Sequence, residues 1–252
     1  MLTVQDLYNY IDSLAPYETQ DSFDNSGLLV GDPAWEVRGV HVAMDVTGSV
    51  LDEAIANGAN VLITHHPVMF SARKRLVETD SEARLLCRMI RHEIALIAAH
   101  TNLDQAPGGI NDVLARVVGL EEISGEAYVR TGLLPAPMTA EAFARQAGET
   151  LHAVVRIMGD PEREIRRVAV TSGAGSESVP DALALGADAF LTGEAKHHHA
   201  LIAAEAGMVV LEAGHHATEE PGIFALADAL QNHLNALQYK IHVSKSTARP
   251  YC

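Results

Sequence analysis

Residues 61–67 read V-L-I-T-H-H-P, a short apolar run that ends in the adjacent histidines His65 and His66. Such a run is typical of a buried β-strand. A second run, I-A-L-I-A-A at 94–99, ends at His100. Imidazoles at the ends of apolar strands, with carboxylates close by, are what a divalent-metal site requires. The two runs therefore indicate both strands and a candidate site.

The second half of the chain carries motifs of the same kind in the same order. The stretch A-F-L-T-G-E ends at Glu194, and E-A-G-H-H-A-T-E contains His215 and Glu219. In the first half, A-A-H-T-N-L-D contains His100 and Asp104 at the same spacing of four. On a helix, that spacing places both side chains on one face.

The similarity of the halves can be checked by shifting one along the other. A shift of 128 positions places Thr64 on Thr192, and a shift of 115 places His100 on His215. Two copies indicate two similar lobes, because a solenoid needs at least three repeats. The alternative is that any two strand–helix–strand units in an Ala- and Gly-rich chain look alike, but here polar positions also coincide.

Apolar strands alternate with helical patterns along the whole chain, which predicts an α/β fold with two similar lobes. Each lobe should contain a largely parallel sheet flanked by helices. The least repeat-like stretch is 121–165, and we place the boundary there, which gives a first lobe at 1–124 and a second at 125–252. The predicted strands are 28–30, 39–44, 60–64, 94–99, 128–134, 152–158, 166–171, 188–192, 208–212 and 239–243. The predicted helices are 3–14, 48–57, 81–92, 110–118, 139–150, 177–185, 196–206 and 221–235.

Ligands of open parallel sheets bind beyond the carboxyl ends of the strands. The histidines and carboxylates of the repeated motifs follow predicted strands, so they should gather at such an edge. A mixture of imidazole and carboxylate donors suits Zn²⁺, Mn²⁺ or Fe²⁺ better than Ca²⁺ or Mg²⁺, which prefer oxygen ligands alone.

Composition argues against several classes of protein. The formal net charge is −15, which argues against duplex nucleic acid as a partner because that affinity depends on Lys and Arg. No run of 18 or more apolar residues is present, so no membrane span is predicted. The amphipathic pattern of 3–14, with a capping box from Thr3 to Asp6, does not resemble a signal peptide. Two cysteines, Cys87 and Cys252, suit a reducing cytosol, which predicts a cytoplasmic protein.

Four further stretches are polar, basic or glycine-rich and are interpreted one by one. The triplet 197–199, H-H-H, is interpreted as the exposed first turn of a helix rather than a ligand set. The basic stretch 73–75, R-K-R, is a solvated loop or a contact for an anionic substrate. The stretch 172–175, S-G-A-G, could cradle an anion with backbone N–H groups, although it matches no nucleotide-binding fingerprint. The stretch 24–27, D-N-S-G, is a turn by its chemistry.

The motifs D-N-S-G-L-L-V-G-D, I-T-H-H-P, A-A-H-T-N-L-D, L-T-G-E and G-H-H-A-T-E together resemble the NIF-three-like dinuclear-metal family. Members are widely labelled GTP cyclohydrolase I type 2 homologues, and the resemblance covers nearly the full length. It implies two divalent metal ions per chain and a ring-shaped homohexamer. The metal ligands that it implies are His65, His66, Asp104, His215 and Glu219. His100 and Glu194 lie in neighbouring motifs, and we assign them as candidate catalytic residues that move protons.

Two functions fit these observations. The first is a metal-dependent hydrolase of a small substrate such as a nucleotide, acting either as a GTP cyclohydrolase or as a phosphoesterase. The second is a non-enzymatic metal-binding or regulatory oligomer. The sequence contains no separate partner motif that would favour the second function.

Overall fold

The structure, a computed structural model, describes residues 1–249, so Cys252 lies outside the described residues. The chain divides into two units. The first unit consists of Met1–Ala106 and the segment that begins at Ile223, and the second is Pro107–Gly222. The lobe boundary between residues 124 and 125 follows the sequence repeat and stays a proposal about where the two copies meet.

Strands and helices alternate along most of the chain. The strands are β1 Gly27–Val30, β2 Val40–Ala43, β3 Val61–Thr64, β4 Ala95–Ala98, β5 Glu121–Ser124, β6 Arg130–Thr139, β7 Arg156–Met158, β8 Glu164–Thr171, β9 Ala189–Thr192, β10 Val209–Glu212 and β11 Val243–Lys245. The helices are α1 Val4–Leu14, α2 Gly48–Ala56, α3 Ser81–Arg91, α4 Thr101–Gln105, α5 Ile110–Val117, α6 Ala140–Leu151, α7 Val179–Ala184, α8 His197–Glu205 and α9 His215–Ala236.

The sheet of the first unit has the strand order β1-β4-β3-β2-β11. All of its pairings are parallel except that of β1 with β4. In the register of the central strands, Thr64 lies between Ala43 on β2 and Ala98 on β4. The carboxyl ends of three strands therefore lie side by side at one edge of this sheet.

The sheet of the second unit has the order β5-β6-β8-β9-β10-β7. Its centre, β8-β9-β10, is parallel, and the strands on either side are antiparallel. Val168 pairs with Ala189 as Val40 pairs with Val61, which is the 128-residue shift of the sequence repeat. The predicted α/β fold with two similar lobes is confirmed, although the second sheet is mixed because antiparallel strands flank its parallel centre.

The parallel strands have apolar side chains on both faces, as expected when helices cover both sides of a sheet. In the first unit Leu51 of α2 and Met89 of α3 join Leu62 and Leu96 in one fully buried cluster. In the second unit the aromatic ring of Phe143 on α6 is fully buried against the sheet. Replacing such residues by Ala typically costs about 2–5 kcal/mol.

Helix ends follow the sequence signals at most positions. The predicted capping box of α1 is confirmed, because Thr3 and Asp6 exchange hydrogen bonds. Helix α9 differs from the prediction, since it begins at His215 rather than near Pro221. Proline is common at the first helical position, which explains the prediction. In the structure Pro221 lies inside the helix, and Gly214, with φ of +90°, precedes its first turn.

The segment after β11 is fastened to α2 by one carboxylate. Glu53 accepts hydrogen bonds from the hydroxyls of Ser246 and Thr247, and its Oε2 lies 3.2 Å from Nε2 of the buried His41. Burial alone would raise the pKa of Glu53, but the hydrogen bonds from Ser246 and Thr247 outweigh it and lower the pKa to about 2.

We expect Glu53→Gln to lower the stability of the protein and to weaken its dependence on acid. The depressed pKa means that the charged carboxylate stabilises the fold above the ordinary value of 4.5 and loses this effect as the pH falls through about 2. Thermal unfolding followed by circular dichroism between neutral pH and pH of about 2 measures the difference. The control is Glu149→Gln, at an exposed position on α6. A wild-type pH dependence in Glu53→Gln would contradict the assignment.

Candidate functional site

The predicted histidine pair lies at the carboxyl end of β3. His65 is fully buried, and its Nδ1 lies 2.9 Å from the carbonyl oxygen of Ala99. The neighbouring His66 is partly buried, and the two rings are 4.9 Å apart between centroids. Thr64 donates its hydroxyl hydrogen to the carbonyl of His66, which holds the turn after the strand.

His100 joins this pair because β4 lies beside β3. Its ring centroid is 5.1 Å from that of His65 and 5.3 Å from that of His66. One ring nitrogen from each of the three histidines lies within 4.8 Å of the others. The first unit thus contains a cluster of imidazoles that could hold a metal ion.

Asp104 is brought to the same cluster by a short helix that the sequence analysis did not predict. Helix α4 begins directly after His100, and the backbone N–H of Asp104 donates to the His100 carbonyl at 3.0 Å. The carboxylate is almost buried, and Oδ1 lies 3.5 Å from Nε2 of His65. The spacing of four between His100 and Asp104 therefore corresponds to one helical turn.

The predicted residues of the second unit also lie together. His215 begins α9, and its Nε2 lies 3.2 Å from Oε1 of Glu219 one turn later. Its Nδ1 lies 3.1 Å from Oε1 of Glu194, which follows β9. Glu219 is buried, whereas the side chain of Glu194 is 58% exposed. An exposed carboxylate next to a potential ligand can exchange protons with solvent or substrate.

Gly173 creates the space for Glu219, and Gly193 allows the close approach of the loop that contains Gly173. Gly173 has φ of +58°, and a Cβ atom at this position would overlap the Glu219 carboxylate. A Cβ atom on Gly193 would lie 2.6 Å from the Gly173 carbonyl oxygen. Thr218 links these parts, because its hydroxyl accepts the Gly173 N–H at 3.0 Å. The loop 172–175 thus packs against a carboxylate, whose negative charge is unfavourable for the anion cradle that the sequence suggested.

Two aspartates near the histidine cluster were missed at the level of sequence. The side chain of Asp24 is fully buried and contacts Nδ1 of His100 at 2.8 Å. Burial would raise the pKa of Asp24, but hydrogen bonds from His100 and Thr101 outweigh it and hold the pKa well below its ordinary value. Asp45 lies 2.8 Å from Nδ1 of His66. Its position two residues after β2, at the same sheet edge, was a signal that could have identified it.

The remaining stretches have structural roles or stay open. The triplet 197–199 forms the first turn of α8, as predicted, and His199 contacts the hydroxyl of Ser176 at 3.1 Å. Arg73 forms ion pairs with Asp80 and Glu82. Lys74 and Arg75 are exposed. Within residues 1–249, the helices lack the combined length and apolar character needed to cross a bilayer.

Curated relatives resemble the chain over nearly its full length. It is 31% identical to a Clostridium acetobutylicum protein, covering 99% of this chain and 98% of the relative. It is 33% identical to a Streptomyces coelicolor protein, covering 100% of this chain and 94% of the relative. Both carry the name GTP cyclohydrolase 1 type 2 homolog.

Solved structures show the same fold. The Staphylococcus aureus protein SA1388 superposes with a TM-score of 0.93 at 31% identity, covering 100% of this chain and 99% of that one. Reduced HcgD from Methanocaldococcus jannaschii superposes with a TM-score of 0.82 at 28% identity, covering 96% and 97%. The family described as Duf34/NIF3 (NGG1p interacting factor 3) matches residues 2–250. The chain therefore belongs to the DUF34/NIF3 family.

Proposed function

We propose that this protein binds two divalent metal ions per chain and uses them to hydrolyse a small substrate. The observation that carries the proposal is the cluster of His65, His66 and His100, whose ring nitrogens lie within 4.8 Å of one another. The proposed ligands are His65, His66, Asp104, His215 and Glu219. Imidazole and carboxylate donors together suit Zn²⁺, Mn²⁺ or Fe²⁺.

The residues of each unit fit such a role by their burial and contacts. Asp104 and Glu219 are carboxylates with little exposure, and such groups are normally paired or bound to a metal. Each lies within 3.5 Å of a histidine ring nitrogen of its own unit. When bound, a pair of divalent ions supplies Lewis acidity and lowers the pKa of water.

Proton transfer is proposed for Glu194 and His100. Glu194 contacts His215 and remains largely exposed, so a substrate could reach its second oxygen. Nδ1 of His100 contacts the carboxylate of Asp24, so Nε2 is the ring nitrogen that we propose for proton transfer. Both residues are candidates for this role through their position beside the proposed ligands.

The substrate that we propose is a small anionic molecule such as a nucleotide. A cavity of about 800 Å³ in the first unit is lined by Phe70, Lys74 and Arg75, among others. Phe70 is half exposed, and its ring meets that of His100 edge-on at 5.6 Å. The lining also contains Asp80 and Glu82, which are paired with Arg73. An aromatic ring and two exposed cations in one cavity suit a ligand that has both a ring and a negative group.

The names of the relatives support a hydrolase of the GTP cyclohydrolase type. Hydrolysis of a phosphoester is the second reaction that we propose. We further propose a cytoplasmic homohexamer. The alternative function is a metal-binding or regulatory oligomer without catalysis. Metal-loaded protein that turns over none of GTP, phosphoesters or cyclic amides would favour this alternative, whereas chelator-sensitive turnover would favour the hydrolase.

Metal loading is the most direct test. Protein loaded with Zn²⁺ or Mn²⁺ should hold about two equivalents per chain by elemental analysis, as a two-metal site requires. His66→Ala and Glu219→Ala should lose most of this metal because each removes a proposed ligand. His198→Ala removes an exposed histidine on α8 and should keep it. Metal retained in Glu219→Ala but lost in His198→Ala would contradict the ligand set.

Gly173→Ala should weaken metal binding because the added methyl group overlaps the carboxylate of Glu219. Gly186→Ala is the matched control, since Gly186 also has a positive φ, +71°, and its added methyl group would have no atom within 4 Å. Both variants should lose about 1 kcal/mol of stability from the backbone strain. Calorimetric titration with Zn²⁺ should separate them, and equal affinities would remove the argument that Gly173 makes room for a ligand.

The cavity predicts a role for Lys74 and Arg75 in binding an anionic ligand. The double variant Lys74→Ala, Arg75→Ala should weaken GTP binding to metal-loaded protein by about tenfold or more, since charge-assisted hydrogen bonds are worth about 1.5–3 kcal/mol. Arg38→Ala, Lys240→Ala removes the same charge from other exposed positions of the first unit. Equal losses in the two double variants would indicate a general charge effect and no subsite.

A further inference from the structure

A groove beside β1, the edge strand of the first sheet, is distinct from the cavity proposed for the nucleotide, although residues 73–75 line both. Its volume is about 730 Å³, which lies within the range of small-molecule sites. The apolar side chains that line this β1 groove are Leu29, Val30, Met69, Leu76, Leu86 and Ile90. The groove is therefore mainly apolar, with basic residues along one part of its lining.

The apolar lining of the β1 groove extends from the core of the first unit to the surface. Leu86 on α3 is 3% exposed and belongs to the core cluster, against which Leu29 and Met69 pack. Ile90, four residues later on the same helix, is 54% exposed, and Leu76 is 48% exposed. Apolar surface of this kind is unfavourable in water, so a ligand with an apolar chain that covers it gains free energy.

Two cations of the groove lack the ion pairs that their neighbours form. Arg73, Arg88 and Arg91 each pair with a carboxylate. Within residues 1–249, Lys74 and Arg75 form no ion pair, and both residues are exposed. In a chain with a formal net charge of −15, two adjacent unpaired cations beside apolar residues favour a ligand with an anionic head group.

We infer that the β1 groove binds a free amphipathic anion, a carboxylate with a single alkyl chain of medium length. The chain lies along Leu29, Leu76 and Ile90, and the carboxylate meets Lys74 and Arg75. The same two cations line the cavity proposed for the nucleotide, so the two ligands would compete. The inference is independent of the proposed metal chemistry, because none of the proposed metal ligands lines the groove.

The charge of the whole protein favours a free anion over a membrane as the source of the alkyl chain. An anionic bilayer would repel a protein with a net charge of −15. A single carboxylate interacts mainly with the two nearby cations, because charges farther away than about 10 Å are largely screened by salt.

The single tryptophan of the chain, Trp35, is the reporter for the test. A Cβ atom on Gly31, a residue of the groove, would lie 3.1 Å from the Trp35 ring, so the ring is close to the expected ligand. The full-length protein is titrated with octanoate, decanoate and dodecanoate below their micelle concentrations, and binding is followed by tryptophan fluorescence and calorimetry. The dissociation constant should fall about two- to fourfold for each added methylene group. Dodecyltrimethylammonium, with the same chain and the opposite charge, should bind about tenfold more weakly or worse.

The decisive variant is Ile90→Asp, which places a negative charge in the groove and should weaken dodecanoate binding about tenfold or more. Leu237→Asp is the matched control, because Leu237 is 53% exposed in the same unit and lies outside the groove. This control should bind dodecanoate like the wild type. The double variant Lys74→Ala, Arg75→Ala should weaken dodecanoate binding about tenfold without weakening that of dodecyltrimethylammonium.

Chelator treatment separates the groove from the proposed metal centre, since dodecanoate should bind equally well before and after it. Binding that chelator abolishes would overturn the inference, as would equal affinities of Ile90→Asp and Leu237→Asp. Vesicles of phosphatidylglycerol that bind the wild type when free dodecanoate does not would assign the groove to a membrane and overturn it. A wild type that binds no dodecanoate, with a lower oligomeric mass in Ile90→Asp by light scattering, would assign the groove to a second copy of the chain instead.

Discussion

The parallel pairing of β3 with β4 is the constraint on which the histidine cluster of the first unit depends. Because Thr64 lies opposite Ala98, the residues that follow both strands emerge at one edge of the sheet. His65 then reaches the carbonyl of Ala99, and His100 lies beside it. A slip of one residue in this register would turn the side chains of one strand to the opposite face and separate the rings.

The same constraint operates within the second unit, where β9 pairs in parallel with β10 and Thr192 lies opposite Glu212. Glu194 and His215 follow these two positions and come within 3.1 Å of each other. In both sheets the candidate residues follow two adjacent parallel strands. Histidines follow β3 and β4, whereas Glu194 follows β9 and His215 follows β10. This is why the sequence repeat coincides with the candidate site residues.

Sequence reasoning succeeded where a signal was local. The apolar runs that became β3, β4 and β9 were predicted to within one residue at each end, because a short buried strand has a distinctive composition. The start of α8 and the capping box of α1 were predicted for similar reasons. The rule that ligands follow parallel strands then placed most candidate residues near their partners without any coordinates.

Failures occurred where the deciding partner is far away in the sequence. Asp24 belongs to a stretch with the composition of a turn, and its contact with His100 spans 76 residues. The strand β5 was not predicted, because its residues Glu121 and Glu122 are unfavourable in strands and pairing with β6 overrides that preference. The final strand was predicted at 239–243 but lies at Val243–Lys245, since its position is set by pairing with β2.

The first unit is formed by two separate segments of the chain, and this affects the order in which the two units fold during synthesis. Residues 107–222 are contiguous, so this unit can close its sheet as soon as it leaves the ribosome. The first unit has emerged earlier but lacks β11, which pairs Val243 with Val40 across most of the length of the chain. Until then β2 presents an unpaired edge, the kind of surface at which strands of other chains add wrongly. The half of the protein that is translated first is therefore the half that is completed last.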